Sequence, residues 1–151
     1  MFRLSKKLLF AIEAVLDIAY NAGDEPVQSS EITRRQGIPR RYLEQVLQQL
    51  VRAGVLSGVR GPRGGYRLAR ERRRITIGEI VRVVRSMETA ADPVEDPAGS
   101  ELGHRIVRPM WKEMQESFMS RLDETTIDDL CRRAQSEGIP RASETVLDFS
   151  I

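Results

Sequence analysis

Between residues 29 and 68 the sequence spells a short helix, a glycine stop, a longer two-faced helix and then a hairpin whose tip is glycine and arginine. Ser29 or Ser30 can cap a helix through Ile32 to about Gln36, which Gly37 stops with Pro39 just beyond. Pro39 suits the first turn of the next helix, where its missing N–H costs nothing, and that helix runs to about Ala53 before Gly54 ends it. Its two faces divide cleanly. Leu43, Val46, Leu47, Leu50 and Val51 lie on one side, whereas Arg41, Glu44, Gln45, Gln48 and Arg52 project on the other. Such a polar face is either a solvated surface or a set of long side chains able to read base edges in a major groove. The neighbouring hairpin decides between them. Val55-Leu56 leads in, Tyr66 and Leu68 alternate on the return strand, and Arg60-Gly61-Pro62-Arg63-Gly64 forms the tip. A helix-turn-helix followed directly by a basic hairpin is a winged helix. Glycines at its tip allow the backbone to approach a phosphate or enter a minor groove beside an arginine. A nucleotide-phosphate loop would need GxxxxGK[ST], or GxGxxG opening a helix after a strand, and the chain has neither.

The flanking segments complete a mainly α plan with a small β-hairpin wing. Ser5 can cap a first helix whose apolar positions Leu8, Leu9, Ile12, Val15, Leu16 and Ala19 follow the helical period to Asn21-Ala22-Gly23. Thr76-Ile77-Gly78-Glu79 is a capping box that opens a fourth helix, Ile80 to about Arg85. The stretch TAADPVEDPAGS, residues 89–100, has two prolines, several acids and no apolar period, and reads as a mobile loop. A long helical pattern from about Leu102 to Leu122 then carries Ile106, Met110, Trp111, Met114 and Phe118 on one stripe, with Pro109 expected to kink it unless it falls near the first turn. Thr125 or Thr126 can cap a last short helix through Leu130, and residues 135–151 give no strong signal. The expected division is therefore 1–86 as a winged helix-turn-helix domain, 87–100 as an acidic flexible loop, 101–134 as a dimerisation helix with the short last helix, and 135–151 as a tail.

Charge separates the same two halves. Residues 1–86 carry 17 Lys/Arg against 8 Asp/Glu and residues 87–151 carry 7 against 14, so a net charge of +2 conceals a basic half joined to an acidic one. Phosphates attract the first half alone, and counterion release drives binding there. Seven arginines fall within residues 57–74, which argues against a merely solvated surface. No segment approaches the roughly twenty apolar residues needed to cross a bilayer. The expected location is cytoplasmic. One cysteine, Cys131, excludes an intrachain disulfide, and with the single histidine, His104, it cannot make the usual Cys/His zinc site. No nucleophile motif or paired carboxylates in a glycine-rich context point to an enzyme.

The segments LSKKLLFAIEAVLDIA, RRYLEQVLQQLVRAGVL, VRGPRGGYRLA and ITIGEI resemble the Rrf-two family of bacterial winged-helix regulators, over about residues 1–134. The resemblance implies a homodimer on double-stranded DNA, with the third helix in the major groove and a wing arginine in the minor groove. Tyr42-Leu43-Glu44-Gln45 matches the family's recognition-helix YLEQ, which implies base contacts by Glu44 and Gln45 in a set with Arg40, Arg41, Tyr42 and Gln48. A glutamate there can accept from cytosine N4. Arg60 matches the minor-groove arginine, in a wing of Arg60, Gly61, Arg63, Gly64, Gly65 and Tyr66. The long helix, through Ile106, Met110, Trp111, Met114 and Phe118, is implied to pair with its copy. The best-known members bind an iron–sulfur cluster through three cysteines in and after the loop. This chain has none before Cys131 and carries Arg105 and Arg108 where the last cysteine and the histidine would fall, so no cofactor and no metal are expected. Three functions remain open: a DNA-binding regulator, most simply a repressor on a near-palindromic operator, controlled by a small-molecule effector, a protein partner or abundance alone; a winged-helix protein–protein module without DNA binding; and an enzyme. The arginines favour the first.

Overall fold

The structure, a computed structural model, describes residues 4–88 and 90–142. Ser5 opens α1 (Lys6–Tyr20) by accepting the Leu8 N–H at 3.1 Å. Of the expected stripe, α1 buries Val15 and Ala19, along with Ala11, Ala14 and Ile18; Leu8, Ile12 and Leu16 are half-buried against the core, and Leu9 stays 39% exposed. Alanines allow the neighbouring helices to approach closely, so the buried side is set by what packs there and not by the largest side chains. Helix α2 (Ser29–Gln36) starts one residue before the serine caps would place it: Gln28 holds the cap, and its N–H donates to the Glu31 carboxylate at 2.8 Å. Gly37, left-handed at φ 65°, ends α2. Pro39 is the cap of α3 (Arg40–Arg52), which buries Leu43, Val46, Leu47 and Leu50.

Strands β1 (Leu56–Val59) and β2 (Gly65–Leu68) form the antiparallel wing, with Leu56 opposite Leu68 and Val59 opposite Gly65. The wing is also moored to the α1–α2 connection, because Tyr66 exchanges both backbone hydrogen bonds with Val27 at 2.8 and 2.9 Å. Helix α4 (Ile77–Met87) opens with the expected capping box, in which Thr76 Oγ1 accepts the Glu79 N–H and Glu79 accepts the Thr76 N–H, both at 3.2 Å.

The acidic segment that reads as a mobile loop is pinned to the long helix. Asp92 caps a 3-10 turn at Pro93–Glu95, and the Arg108 guanidinium donates to the carbonyls of Asp96 and of Ala98. Arginine far along the chain supplies the order that local composition does not; Thr89 itself lies outside the described residues. Pro109 falls in the first turn of α5 (Arg108–Glu124), where the sequence allows it. A π-helical turn at Gly103–Val107 precedes this helix, and Arg108 N–H reaches back five residues to Gly103 O. The wider turn relieves the clash of a proline ring with the preceding carbonyl, and proline has no N–H to leave unpaired.

Helix α6 (Ile127–Ser136), longer than its sequence signal, is capped by Thr126 and Asp129 and returns to the first half of the molecule. Its Ile127 and Cys131 belong to one core with Val15, Ile18, Leu47, Leu50, Ile75 and Ile80, and a backbone bridge joins Thr76 to Thr126. Beyond it Tyr20 Oη donates to Ile139 O and Arg141 Nε to Tyr20 O, so the chain to residue 142 lies along the end of α1. The tail reading for 143–151 falls outside the described residues. Helices α4 and α5 meet where Gly78 leaves room for Asp123: an added Cβ would stand 1.8 Å from its Oδ1, and Arg82 donates to both oxygens of Asp123 at 2.7 Å.

Candidate nucleic-acid interface

The helix-turn-helix is fixed by an ionic node that periodicity hides. Asp17, on the buried side of α1 at 2% exposure, accepts from Arg35 Nε at 2.9 Å and Nη2 at 2.8 Å, from Gln36 Nε2 at 2.8 Å and from Asn21 Nδ2 at 3.1 Å. The hydrogen bond to Asp17 holds the Arg35 guanidinium above its ordinary pKa. Both carboxylate oxygens are satisfied, so the charge can stay buried. The node locks α2 to α1 and so sets the crossing of α2 and α3. Its only sequence signal was an acid embedded in the apolar run around Leu16 and Ile18.

With its apolar face spent on the core, α3 presents Arg40, Arg41, Tyr42, Glu44, Gln45 and Gln48 outward, all exposed. Arg40 Nε donates to Glu44 Oε1 at 2.8 Å, one turn on, which orients the glutamate. Tyr42 is 46% exposed, and its ring lies 6.4 Å from that of Phe10. Between this helix, the start of α2 and the wing lies an open cleft of about 990 Å³. Arg40 lines it from α3, Arg60, Gly61, Gly64, Gly65 and Tyr66 from the wing. Gln28, Ser29, Ser30 and Thr33 of α2 and its cap line it too; of these the sequence singles out only Ser29 and Ser30, as candidate caps. The buried Thr33 hydroxyl has no hydrogen-bond partner among the described residues.

The two wing arginines do not face the same way. Arg60 borders the cleft, whereas Arg63 turns to the α1–α2 connection and stands 3.5 Å from Glu25. Arg67 also reaches that connection, donating to Asp24 O at 2.6 Å. The paired glycines have an internal reason to be glycine: a Cβ at Gly64 would lie 2.2 Å from Val59 O, and one at Gly65 2.4 Å from Val27 O. Gly61, with φ 110° and open space around it, is the tip glycine that the turn itself requires.

A family model described as Rrf2, iron-dependent transcriptional regulator, matches residues 4–133. The chain belongs to the Rrf2 family. The HTH-type transcriptional regulator IscR of Xenorhabdus nematophila is 33% identical over 134 residues, 88% of this chain and 81% of that protein. IscR of Photobacterium profundum is 32% identical over 149 residues, 98% of this chain and 86% of that protein. Among solved structures, T. potens IscR superposes with a TM-score of 0.73 at 30% identity, over 94% of this chain and 95% of that one. CymR, the global cysteine regulator of B. subtilis, gives 0.70 at 30% identity over 88% and 98%. This Rrf2 protein is thus a DNA-binding transcriptional regulator with a winged-helix fold and not an enzyme.

The iron of the family description does not fit the side chains present. The one cysteine is 1% exposed in the core, where burial raises the thiol's pKa and keeps it protonated. The one histidine has its Nδ1 3.1 Å from the Arg108 guanidinium, a cation where a metal ligand needs open approach. Among the described residues no three His, Cys, Asp or Glu side chains converge on a point. The stripe on the long helix is largely open among the described residues: Ile106, Met110, Met114 and Phe118 are 62, 44, 53 and 44% exposed. Trp111 is half-buried against the pinned loop. No described helix is long and apolar enough to cross a membrane.

Proposed function

We propose that this protein is a cytoplasmic, sequence-specific repressor that binds a near-palindromic operator as a homodimer and works without an iron–sulfur cluster. In this reading residues 1–86, with α6 packed on them, are the reading head, 87–100 the connecting loop and α5 the assembly element. Glu44 and Gln45, with Gln48, Arg41 and Tyr42 beside them, meet bases; Arg40 and the wing, led by Arg60, meet phosphate and minor groove. The observation that carries the reading is the basic cleft shared by the head of α3 and the wing tip, the geometry in which one element enters a groove while the other grips its edge. The exposed stripe Ile106, Met110, Met114 and Phe118 supports the dimer, since an apolar row of this length on one helix is what an isologous interface covers. Selection from random duplexes followed by gel shift tests it. The expected site has two half-sites about one helical turn, or a multiple of it, apart, occupied by two chains. Arg60→Ala weakens every duplex and lowers the salt slope by about 1. Glu44→Ala or Gln45→Ala shifts base preference by about 1–3 kcal/mol at one position of each half-site. A single chain per site, or equal losses on all duplexes from both kinds of substitution, overturns the assignment.

A further inference from the structure

The pinned loop and the long helix enclose a second, smaller cleft of about 290 Å³ that the DNA-binding role does not use. Asp92, Pro93 and Val94 line one side, Val107, Arg108 and Trp111 the other. That volume corresponds to roughly ten waters of the liquid and stands at the lower end of small-molecule pockets. The walls are mostly carbon: a proline ring, two valines and an indole. The polar groups are unequally committed. Asp92 Oδ1 accepts the Val94 N–H at 3.0 Å. Arg108 spends Nη1 on Asp96 O and His104 Nδ1 and Nη2 on Ala98 O, which leaves further guanidinium N–H donors at the cleft. Its loop partners are neutral carbonyls, weaker acceptors for a cation than a carboxylate. Gly99, with φ 123°, passes over this guanidinium so closely that a Cβ would sit 3.0 Å from Nη2. The strap is therefore a fitted one.

We propose that this cleft binds a small planar apolar monocarboxylate, with its ring against Trp111 and its carboxylate on Arg108, and that binding draws Arg108 off the Asp96 and Ala98 carbonyls and frees the loop. Asp92 at the rim disfavours a second negative charge, which selects monoanions. The proposal deepens the reading of the chain as a regulator by assigning where and by what chemistry a signal enters. Trp111 is the chain's one tryptophan and lines the cleft, so its emission follows occupancy of the site. The full chain is titrated with phenylacetate, with benzyl alcohol as a ring without charge and with acetate as a charge without a ring. Phenylacetate is expected to give a saturable change, with benzyl alcohol and acetate each at least about tenfold weaker, since one charge-assisted hydrogen bond corresponds to that factor or more. Arg108→Gln lowers phenylacetate affinity by at least about tenfold, and Val107→Phe, at a half-exposed helical position, fills the cleft and abolishes both responses while far-ultraviolet circular dichroism stays native. No saturable change up to about 10 mM phenylacetate, equal responses to all three probes, or a response that survives Val107→Phe overturns the proposal. Gel shift without any probe keeps the two readings apart: protein that shifts its operator but ignores phenylacetate refutes this site only, and protein that binds phenylacetate but no duplex refutes the regulator reading.

Discussion

At the scale of single residues, Asp17 is a buried anion that ties α2 to α1. Its carboxylate holds Arg35, Gln36 and Asn21 at once, so Asp17→Ala leaves a guanidinium that is 22% exposed without its anion. A loss of about 3 kcal/mol in urea denaturation is expected, the lower end of what breaking a buried pair costs, because Arg35 keeps some water. Adding Arg35→Met to Asp17→Ala should recover part of that loss, since removing both charges removes the uncompensated one; no recovery would mean that the node acts by packing alone. Sequence could not show this, because an acid on the buried side of a helix reads as a break in pattern until its partner 18 residues later is known to arrive there. The exposed polar face of α3 was legible for the opposite reason. Exposure of Arg40, Arg41, Tyr42, Glu44, Gln45 and Gln48 follows from which residues of α3 are apolar, whereas the divergence of Arg60 and Arg63 depends on the path of a tip that no periodicity describes.

At the scale of elements, the caps and stops at Ser5, Gly37, Thr76 and Thr126 were readable because each is a local exchange of hydrogen bonds within three or four residues. What α1 buries was readable only in part, at Val15 and Ala19; Ala11 and Ala14 were missed, since alanines count for little in an apolar pattern yet decide how closely helices meet. The α4–α5 junction offers a pH test. Arg82 holds the Asp123 carboxyl below its ordinary value of 3.8. A depressed folded value contributes stability in full above 3.8 and loses it as the pH falls through the lower folded value. The urea midpoint of Asp123→Asn should therefore lie below that of the native chain at neutral pH, and the two should converge on acidification below the ordinary aspartate range. A gap that persists in acid would assign the contribution of Asp123 to its place over Gly78, not to its charge.

At the scale of the whole molecule, the acidic half covers the far side of the core and leaves an apolar row outside it. Met114→Glu places a charge in the middle of that row at a position already 53% exposed, so the isolated fold should survive while assembly fails. Sedimentation at micromolar concentration is expected to show a dimer for the native chain and a monomer for the variant, with operator affinity lost in step; a monomeric native chain would remove the role given to the row. The long helix that carries this row also contains one wide turn, Gly103–Val107, ahead of Pro109. A wide turn of that kind is a place where a helix holds one residue more than its regular spiral needs. Shortening the chain by one residue there would convert the turn to ordinary helix and leave the faces on either side in phase, whereas the same deletion further along would rotate everything beyond it by about 100°. Of the whole helix, this turn is the stretch where descendants of the sequence can differ in length and still line up.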